Sequence, residues 1–307
     1  MQYFLFVLTN VVLPIFIVIG GGYFVKKKFD INVATLSKIQ FYFFIPALLF
    51  VKITETSIDV SILYDILLAS FLIIILLYLI TFIVSKSLKF TKKSSSAFIN
   101  SSILFNSGNF CIPLIELLYK SNPFALGVQI IIFTFQSITT NTLGVLNANL
   151  GNKSVKNAFL SIFKLPAIYA IILAAILKLL NLSVWTPIWG GVSMVGNASV
   201  PIALFALGAQ LAGIKLSLKI PKVYLSSFIR LFISPLIAFI IVKLLGIEGI
   251  IAQVIVIAHA SPSAINSLLL AIEYDNEVEL ASQSVFLSTV LSSVTITMVI
   301  YFVMNLM

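Results

Sequence analysis

Asn106-Ser107-Gly108-Asn109-Phe110-Cys111-Ile112-Pro113 and His259-Ala260-Ser261-Pro262-Ser263-Ala264-Ile265-Asn266 each interrupt an apolar run otherwise long enough to cross a bilayer. Gly108 favours a bend, and Pro113 and Pro262 each remove a backbone donor, so they suit the first turn of a helix better than its interior. Ser261 precedes Pro262 as an N-cap residue would, and Asn109 can do the same work ahead of Pro113. The reading is a pair of half-helices in each run, with amide groups exposed at mid-membrane. Unpaired backbone groups are costly in hydrocarbon, so such breaks persist only inside protein or around a wet cavity. The partial positive charge at half-helix N-termini favours an anion there. A single Pro or Gly more often just kinks a packed helix; two breaks at matching places in the chain point to a site.

Outward from these breaks the chain is apolar throughout. Of its 307 residues 60% are hydrophobic and 9% charged, which excludes a water-soluble fold. Cutting at polar clusters predicts ten helices, over 3–25, 31–51, 60–85, 94–119, 123–147, 158–180, 186–212, 222–245, 250–273 and 279–305. At roughly 20 residues per crossing they use about two thirds of the chain, which leaves little for a soluble domain. The first segment lacks a basic leader and a small-residue cleavage site, and reads as a retained span. The net charge of +9 sits in short clusters between apolar runs, as topology signals do, so no nucleic-acid partner is expected. Lys26, Lys27 and Lys28, then Lys86, Lys89, Lys92 and Lys93, then Lys153 and Lys156, then Lys215, Lys219 and Lys222 occupy odd-numbered connections. Those connections are therefore expected on the cytoplasmic face of the cell membrane, with both termini extracytoplasmic. Glu273, Asp275, Glu277 and Glu279 in the ninth connection do not disturb this, because acids count little in that rule. Cys111 is the single cysteine, so no intramolecular disulfide and no multi-cysteine metal site exists.

One offset, 155 positions, pairs Pro46 with Pro201, Tyr119 with Tyr274, and the two polar breaks. Around the prolines, Phe44-Ile45-Pro46-Ala47-Leu48-Leu49-Phe50 resembles Ser199-Val200-Pro201-Ile202-Ala203-Leu204-Phe205, and Leu13-Pro14 has a near counterpart in Leu165-Pro166. Apolar sequence yields chance matches readily, so the weight lies in one offset serving several landmarks in order. Five helices per repeat is an odd number, so the second repeat enters the membrane from the opposite side. The expected fold is an all-α integral membrane protein with two inverted five-helix repeats, 1–148 and 158–307, joined by a short cytoplasmic linker at 149–157. Inverted repeats with discontinuous helices at matching positions are a recurring plan of secondary transporters, with the substrate near the bilayer midplane.

Asn106-Ser107-Gly108-Asn109 with Pro113, Pro201-Ile202-Ala203-Leu204 followed by Leu207-Gly208-Ala209-Gln210-Leu211, and Ser261-Pro262 followed by Ala281-Ser282 and Ser288-Thr289 resemble the auxin efflux carrier family of bacteria and plants. That family includes PIN-type auxin exporters and bacterial malate and malonate permeases. The resemblance spans the whole chain and implies the fold of bile-acid sodium symporters, with the fourth and ninth helices crossing where they break. It implies a scaffold of helices 1, 2, 6 and 7, often dimeric, so a homodimer is expected. Helices 3–5 and 8–10 would then form a transport domain that carries substrate by an elevator-like displacement. Substrate binding is implied for Asn106, Asn109, Pro113, Ser261 and Pro262, with their neighbours Ser107, Gly108, Ser263 and Asn266. Plant members carry a long cytosolic segment between the repeats, whereas this chain has only Asn149 to Asn157, so regulation through such a segment is expected to be absent.

Other polar residues have two readings each. Arg230, deep in the eighth helix, either pairs with a substrate carboxylate or bonds helix-end carbonyls. Glu116 stands four residues before Lys120, a favourable helical pair, and is alternatively a site for a coupling proton or cation. His259, the only histidine, is a packing residue or one that titrates. Gln136 and Asn141 in the fifth helix, and Ser288 and Thr289 in the tenth, line a cavity or bond back to their own helices. Lys38 and Lys164 snorkel, and Gly20-Gly21-Gly22 permits close helix packing. The chain lacks a His-Glu-x-x-His pattern, a nucleophile elbow and a Walker sequence, so neither an enzyme nor a self-contained ATP-driven pump is expected. No catalytic or metal-binding residue is assigned, and no cofactor beyond a coupling proton or sodium ion. The functional expectation is a secondary carrier for a small organic anion, a carboxylate such as malate or an auxin-like acid, held between Asn106, Asn109, Ser261 and the half-helix N-termini. An anion channel or uncoupled facilitator is the alternative.

Overall fold

A computed structural model describes residues 2–56, 59–119, 122–149, 165–215, 217 and 219–307. Apart from one isolated bridge, the regular structure of these residues is helical. In chain order the helices are α1 (Tyr3–Lys28), α2 (Val33–Glu55), α3 (Val60–Ser87), α4 (Lys92–Ile103), α5 (Ser107–Leu118) and α6 (Pro123–Ala148). They continue as α7 (Pro166–Leu179), α8 (Thr186–Ala212), α9 (Pro221–Leu244), α10 (Gly249–His259), α11 (Ile265–Glu273) and α12 (Val278–Leu306). Among the described residues seven, α1, α2, α3, α6, α8, α9 and α12, are long and apolar enough to cross a membrane. The predicted fourth and ninth helices are each split in two, as α4/α5 and α10/α11. Residues 150–164, with Lys153, Lys156, Lys164 and most of the predicted linker, and Lys120 lie outside the described residues.

Several helices carry a proline that their hydrogen-bond pattern accommodates. A proline removes the bond to the carbonyl four residues back and crowds that carbonyl. Pro14, Pro46, Pro113 and Pro235 each stand two positions after the end of a wider π turn, at Leu8–Val12, Gln40–Phe44, Ser107–Cys111 and Ile229–Ile233, which contains the carbonyl that the proline would otherwise strand. Pro201, the repeat partner of Pro46, sits inside α8 without such a turn.

Burial follows helix faces. In α3, Ile66, Ala69, Ile73 and Leu77 are fully buried at three- and four-residue spacing, while Phe71, Ile75, Leu79 and Ile83 on the opposite face are exposed. An apolar exposed face suits lipid rather than water. α8 packs along α1 and α2, and α7 packs along α2. The α1–α8 crossing is a close backbone approach: a Cβ on Gly22 would collide with the Phe205 carbonyl oxygen, and one on Gly208 with the Ile19 carbonyl oxygen. Of the three consecutive glycines only Gly22 serves this contact, since Gly20 and Gly21 have nothing within 4 Å of the added atom.

Lysine–carboxylate pairs stand at both ends of the bundle. Lys93, at the start of α4, pairs with Asp275 at 2.5 Å, and Lys222, at the start of α9, with Glu277 at 3.8 Å, so the acids of the α11–α12 connection face lysines of two other odd-numbered connections. At the other end Lys52 pairs with Glu55 at 3.7 Å and Glu116 at 3.8 Å, and Lys178 bonds the Thr56 carbonyl.

Candidate functional site

The two breaks meet. Phe105 and Ser263 form an antiparallel bridge, in which the Asn106 amide donates to the Pro262 carbonyl at 2.8 Å and the Ala264 amide to the Leu104 carbonyl at 2.8 Å. Where each helix loses its own bonds, the other break supplies them. Around this crossing the Ser263 amide donates to Ser288 Oγ at 3.0 Å and the Ser263 hydroxyl to the Ser101 carbonyl at 2.6 Å. The Asn106, Ser263 and Ala264 amides are therefore used within the crossing.

The caps differ from those expected. Asn106, not Asn109, caps α5: its Oδ1 accepts from the Asn109 amide at 3.1 Å, while Asn109 lies inside the π turn. Ser261 is not an N-cap, because α11 begins at Ile265 after Ala264, which offers no side-chain oxygen. Pro262 still precedes the helix, and its carbonyl serves the crossing. A Ser that far from the helix start cannot reach its first turn, and the spacing of Ser and Pro alone did not reveal how long the extended bridge would be.

The crossing has two ends of opposite polarity. The N-termini of α5 and α11 border a cavity of about 90 Å³, lined by Asn106, Ser107, Gly108, Asn109 and Asn266 from the breaks, by Gln136, Ser137, Thr140 and Phe133 from α6, and by Phe41, Ile45, Phe105, Ala264 and Ile265. Asn106 Nδ2 is buried and has no hydrogen-bond partner among the described residues, and the same holds for both polar atoms of the Gln136 side chain. Buried polar groups are nearly always paired, so three such atoms around one cavity mark a place for a polar guest. Gly108 lets the Phe133 ring pack closely on its backbone, because a Cβ there would meet that ring at 3.0 Å. Ile265 also lines a wider cleft of about 940 Å³ between α2 and α8 on one side and α11 and α12 on the other, whose rim carries Lys215 and Glu279.

The C-terminal ends of α4 and α10 face Arg230 instead. This fully buried guanidinium donates to the Ser102 carbonyl at 3.1 Å, the Ile103 carbonyl at 3.3 Å and the His259 carbonyl at 2.5 Å, and also to the Ser234 hydroxyl. Its carbon lies 5.3 Å from the centre of the Phe105 ring, and Phe105 also lines the cavity. Arg230 thus bonds helix-end carbonyls and does not itself line the cavity.

The remaining predicted residues are placed as follows. Ser107 lines the cavity while its carbonyl and hydroxyl both accept from Gln129 Nε2, at 3.1 and 2.9 Å. Pro113 is buried one turn below, and Ser261, Pro262 and Ser263 are buried in the crossing outside the cavity wall. His259 is fully buried against Phe105, with ring centres 4.7 Å apart and neither ring nitrogen partnered among the described residues. Asn141 bonds back to Ser137 and Thr289 to Val285, at 2.9 and 2.7 Å, so both are satisfied within their own helices. Glu116 faces Lys52 near the far end of α5, away from the cavity. Sequence reasoning missed Gln129, which clamps the π turn of α5 and accepts from the Cys111 thiol at 3.3 Å. Its signal was present: Gln129 stands seven residues before Gln136, on the same face of α6.

Comparison with known proteins gives the family. The family described as membrane transport protein matches residues 7–159 and 151–300. An uncharacterized transporter of Methanothermobacter thermautotrophicus is 27% identical over 301 residues, covering 94% of this chain and 96% of the relative. One of Methanocaldococcus jannaschii is 24% identical, again over 94% of this chain and 96% of the relative. The uncharacterized transporter YfdV of Escherichia coli is 25% identical over 304 residues, 94% of this chain and 95% of the relative. This chain therefore belongs to the membrane transport protein family, the auxin efflux carrier-like family that its motifs resemble.

Proposed function

We propose that the protein is a secondary carrier for a small organic anion, a carboxylate such as malate or an auxin-like acid, bound in the cavity beside the crossing. The observation that carries this reading is the set of buried, unpartnered amide atoms of Asn106 and Gln136 around a cavity at two helix N-termini. Carboxamide donors and helix-start amides suit a carboxylate. Arg230 on the opposite side supports the same polarity, since the negative helix ends already have their cation.

For movement we propose ten crossings in two inverted five-helix repeats, with α4/α5 and α10/α11 each counted as one broken crossing. α1, α2, α7 and α8 act as the scaffold, dimeric across two copies, and α3–α6 with α9–α12 as the elevator-like transport domain. The packing of α8 on α1 and α2, and of α7 on α2, supports this division. The cleft between α2/α8 and α11/α12 runs along the proposed boundary and reaches the cavity at Ile265. The positions of the lysine-bearing connections support a cytoplasmic opening for that cleft.

The test is uptake of a panel of labelled organic acids into liposomes, with proton and sodium gradients imposed separately. Saturable uptake with counterflow supports a carrier. Non-saturating flux without counterflow would replace it with an anion channel. No specific uptake of any organic anion would overturn the substrate class.

A further inference from the structure

Helix C-termini concentrate partial negative charge, and unwound helices in transporters commonly use such carbonyls to hold a sodium ion or a proton. In this chain two helix C-termini converge, those of α4 at Ser102 and Ile103 and of α10 at His259. Their carbonyls and the Ser234 hydroxyl form a cluster of oxygen atoms, fully buried at the crossing. A cluster of that kind needs a cation, because several aligned carbonyl oxygens without a donor are costly in a water-free interior.

We infer that Arg230 is the built-in cation of the crossing, occupying the place where a monovalent ion would otherwise sit between the ends of α4 and α10, so that the anion site is formed without bound sodium. A guanidinium is well matched to this position, because it keeps its charge across the physiological range and its planar fork reaches carbonyls on two helices at once. It is also covalently tethered, so it cannot leave with the substrate. The charge therefore travels with the moving domain in both directions, and the occupied site carries a fixed positive charge behind the Phe105 ring. The inference rests on the anion-carrier reading for its meaning in transport, but the arrangement itself can be tested without any organic acid.

The experiment is thermal stability of the purified full-length protein in detergent, in sodium, potassium and choline chloride at equal ionic strength, for the wild type, Arg230→Lys and Arg230→Ser. The wild type is expected to melt at one temperature in all three salts, and so is Arg230→Lys, which retains a tethered charge. Arg230→Ser is expected to melt lower in choline and to recover saturably with sodium, potassium or millimolar guanidinium, since the oxygen cluster is then open to a free cation. A residue acting through packing alone would show no such rescue. A saturable sodium-dependent rise in the wild type overturns the inference, as does a folded Arg230→Ser protein that responds to none of the three cations. If Arg230→Ser does not fold, sodium-independent melting of Arg230→Lys upholds it and sodium dependence of that variant overturns it. Failure of the organic-acid uptake panel leaves these readouts untouched, so the two readings fail separately.

Discussion

The main-chain amide of Asn106 donates to the carbonyl of Pro262 at 2.8 Å, so the two interrupted helices share one hydrogen-bond system. Asn106 then has two further roles. Its Oδ1 caps α5 through the Asn109 amide, and its Nδ2 is buried without a partner where the residue lines the cavity.

These roles separate by substitution. Asn106→Asp keeps an acceptor for the cap but replaces the cavity donor with a negative charge. The cap is retained, while stabilisation by an organic anion is lost. Asn106→Ala removes both, and should also lower stability by about 1 kcal/mol, the usual worth of an N-cap. Thermal melts with and without the acid that the uptake panel identifies will check both outcomes; undiminished anion stabilisation in Asn106→Asp would remove this residue from the site.

Gln136 is buried, and its amide is unpaired on the same cavity. Gln136→Leu keeps the volume and removes the polar atoms. A hydrogen bond to a charged group is worth about 1.5–3 kcal/mol, so affinity should fall at least about tenfold. Asn141→Ala, by contrast, removes a side chain bonded back to Ser137 and should leave affinity nearly unchanged. Equal losses in the two variants, measured as apparent KM for uptake, would contradict the placement.

Gly22 and Gly208 let α1 and α8 touch through their backbones. Gly22→Ala and Gly208→Ala put a methyl group onto a carbonyl of the facing helix, so the helices must separate, at a cost of about 1–3 kcal/mol. Gly20→Ala meets nothing and should be neutral. Comparison of melting temperatures distinguishes this from a general intolerance of the first helix.

Ile265 borders both the cavity and the cleft. Because Cys111 is the only native thiol and is buried, Ile265→Cys supplies a single reactive probe. It should react with an impermeant maleimide from the cytoplasmic side, and bound organic anion should slow the reaction. Labelling only from the outer side would reverse the proposed orientation.

Lys93, at the start of α4, donates to Asp275 in the α11–α12 connection at 2.5 Å, and holds this exposed carboxyl below its usual range. A depressed pKa in the folded state contributes stability that is fully present above the unfolded value, about 3.9 for Asp, and is lost as pH falls through the folded value. The contribution of this pair should therefore stay constant between neutral pH and pH about 5, and decline below that, a decline which Asp275→Asn abolishes. The effect should be small and shrink with added salt, as for any exposed pair. Acid melts of both proteins at two salt concentrations measure it.

Much of the architecture was legible because lipid imposes one strong rule: long apolar runs must be helices, and polar or proline interruptions inside them need a compensating partner. The span Thr186–Ala212 and the start of the span at Pro123 match the expected limits. The split at 260–264 falls inside the second quoted motif, and that at 104–106 ends on the first residue of the first. Asn106, Ser107, Gly108, Asn109, Gln136 and Asn266 were named from sequence and meet at one cavity. The cap assignments failed, because the chain spends Leu104, Phe105 and Asn106 on an extended bridge to the other break, a partner that local spacing does not reveal.

Hydropathy and proline act locally along the chain, so the amino-acid order alone sets its helical, membrane-suited character and the places where its helices break. What the breaks do to one another follows from the packing of distant helices. That packing sends Arg230 to the carbonyls of two helix ends and leaves the amides of Asn106 and Gln136 unpaired beside the cavity. Which of two available roles a buried polar side chain takes depends on the groups that distant helices bring within hydrogen-bond reach, and that is a property of the packing rather than of any stretch of residues.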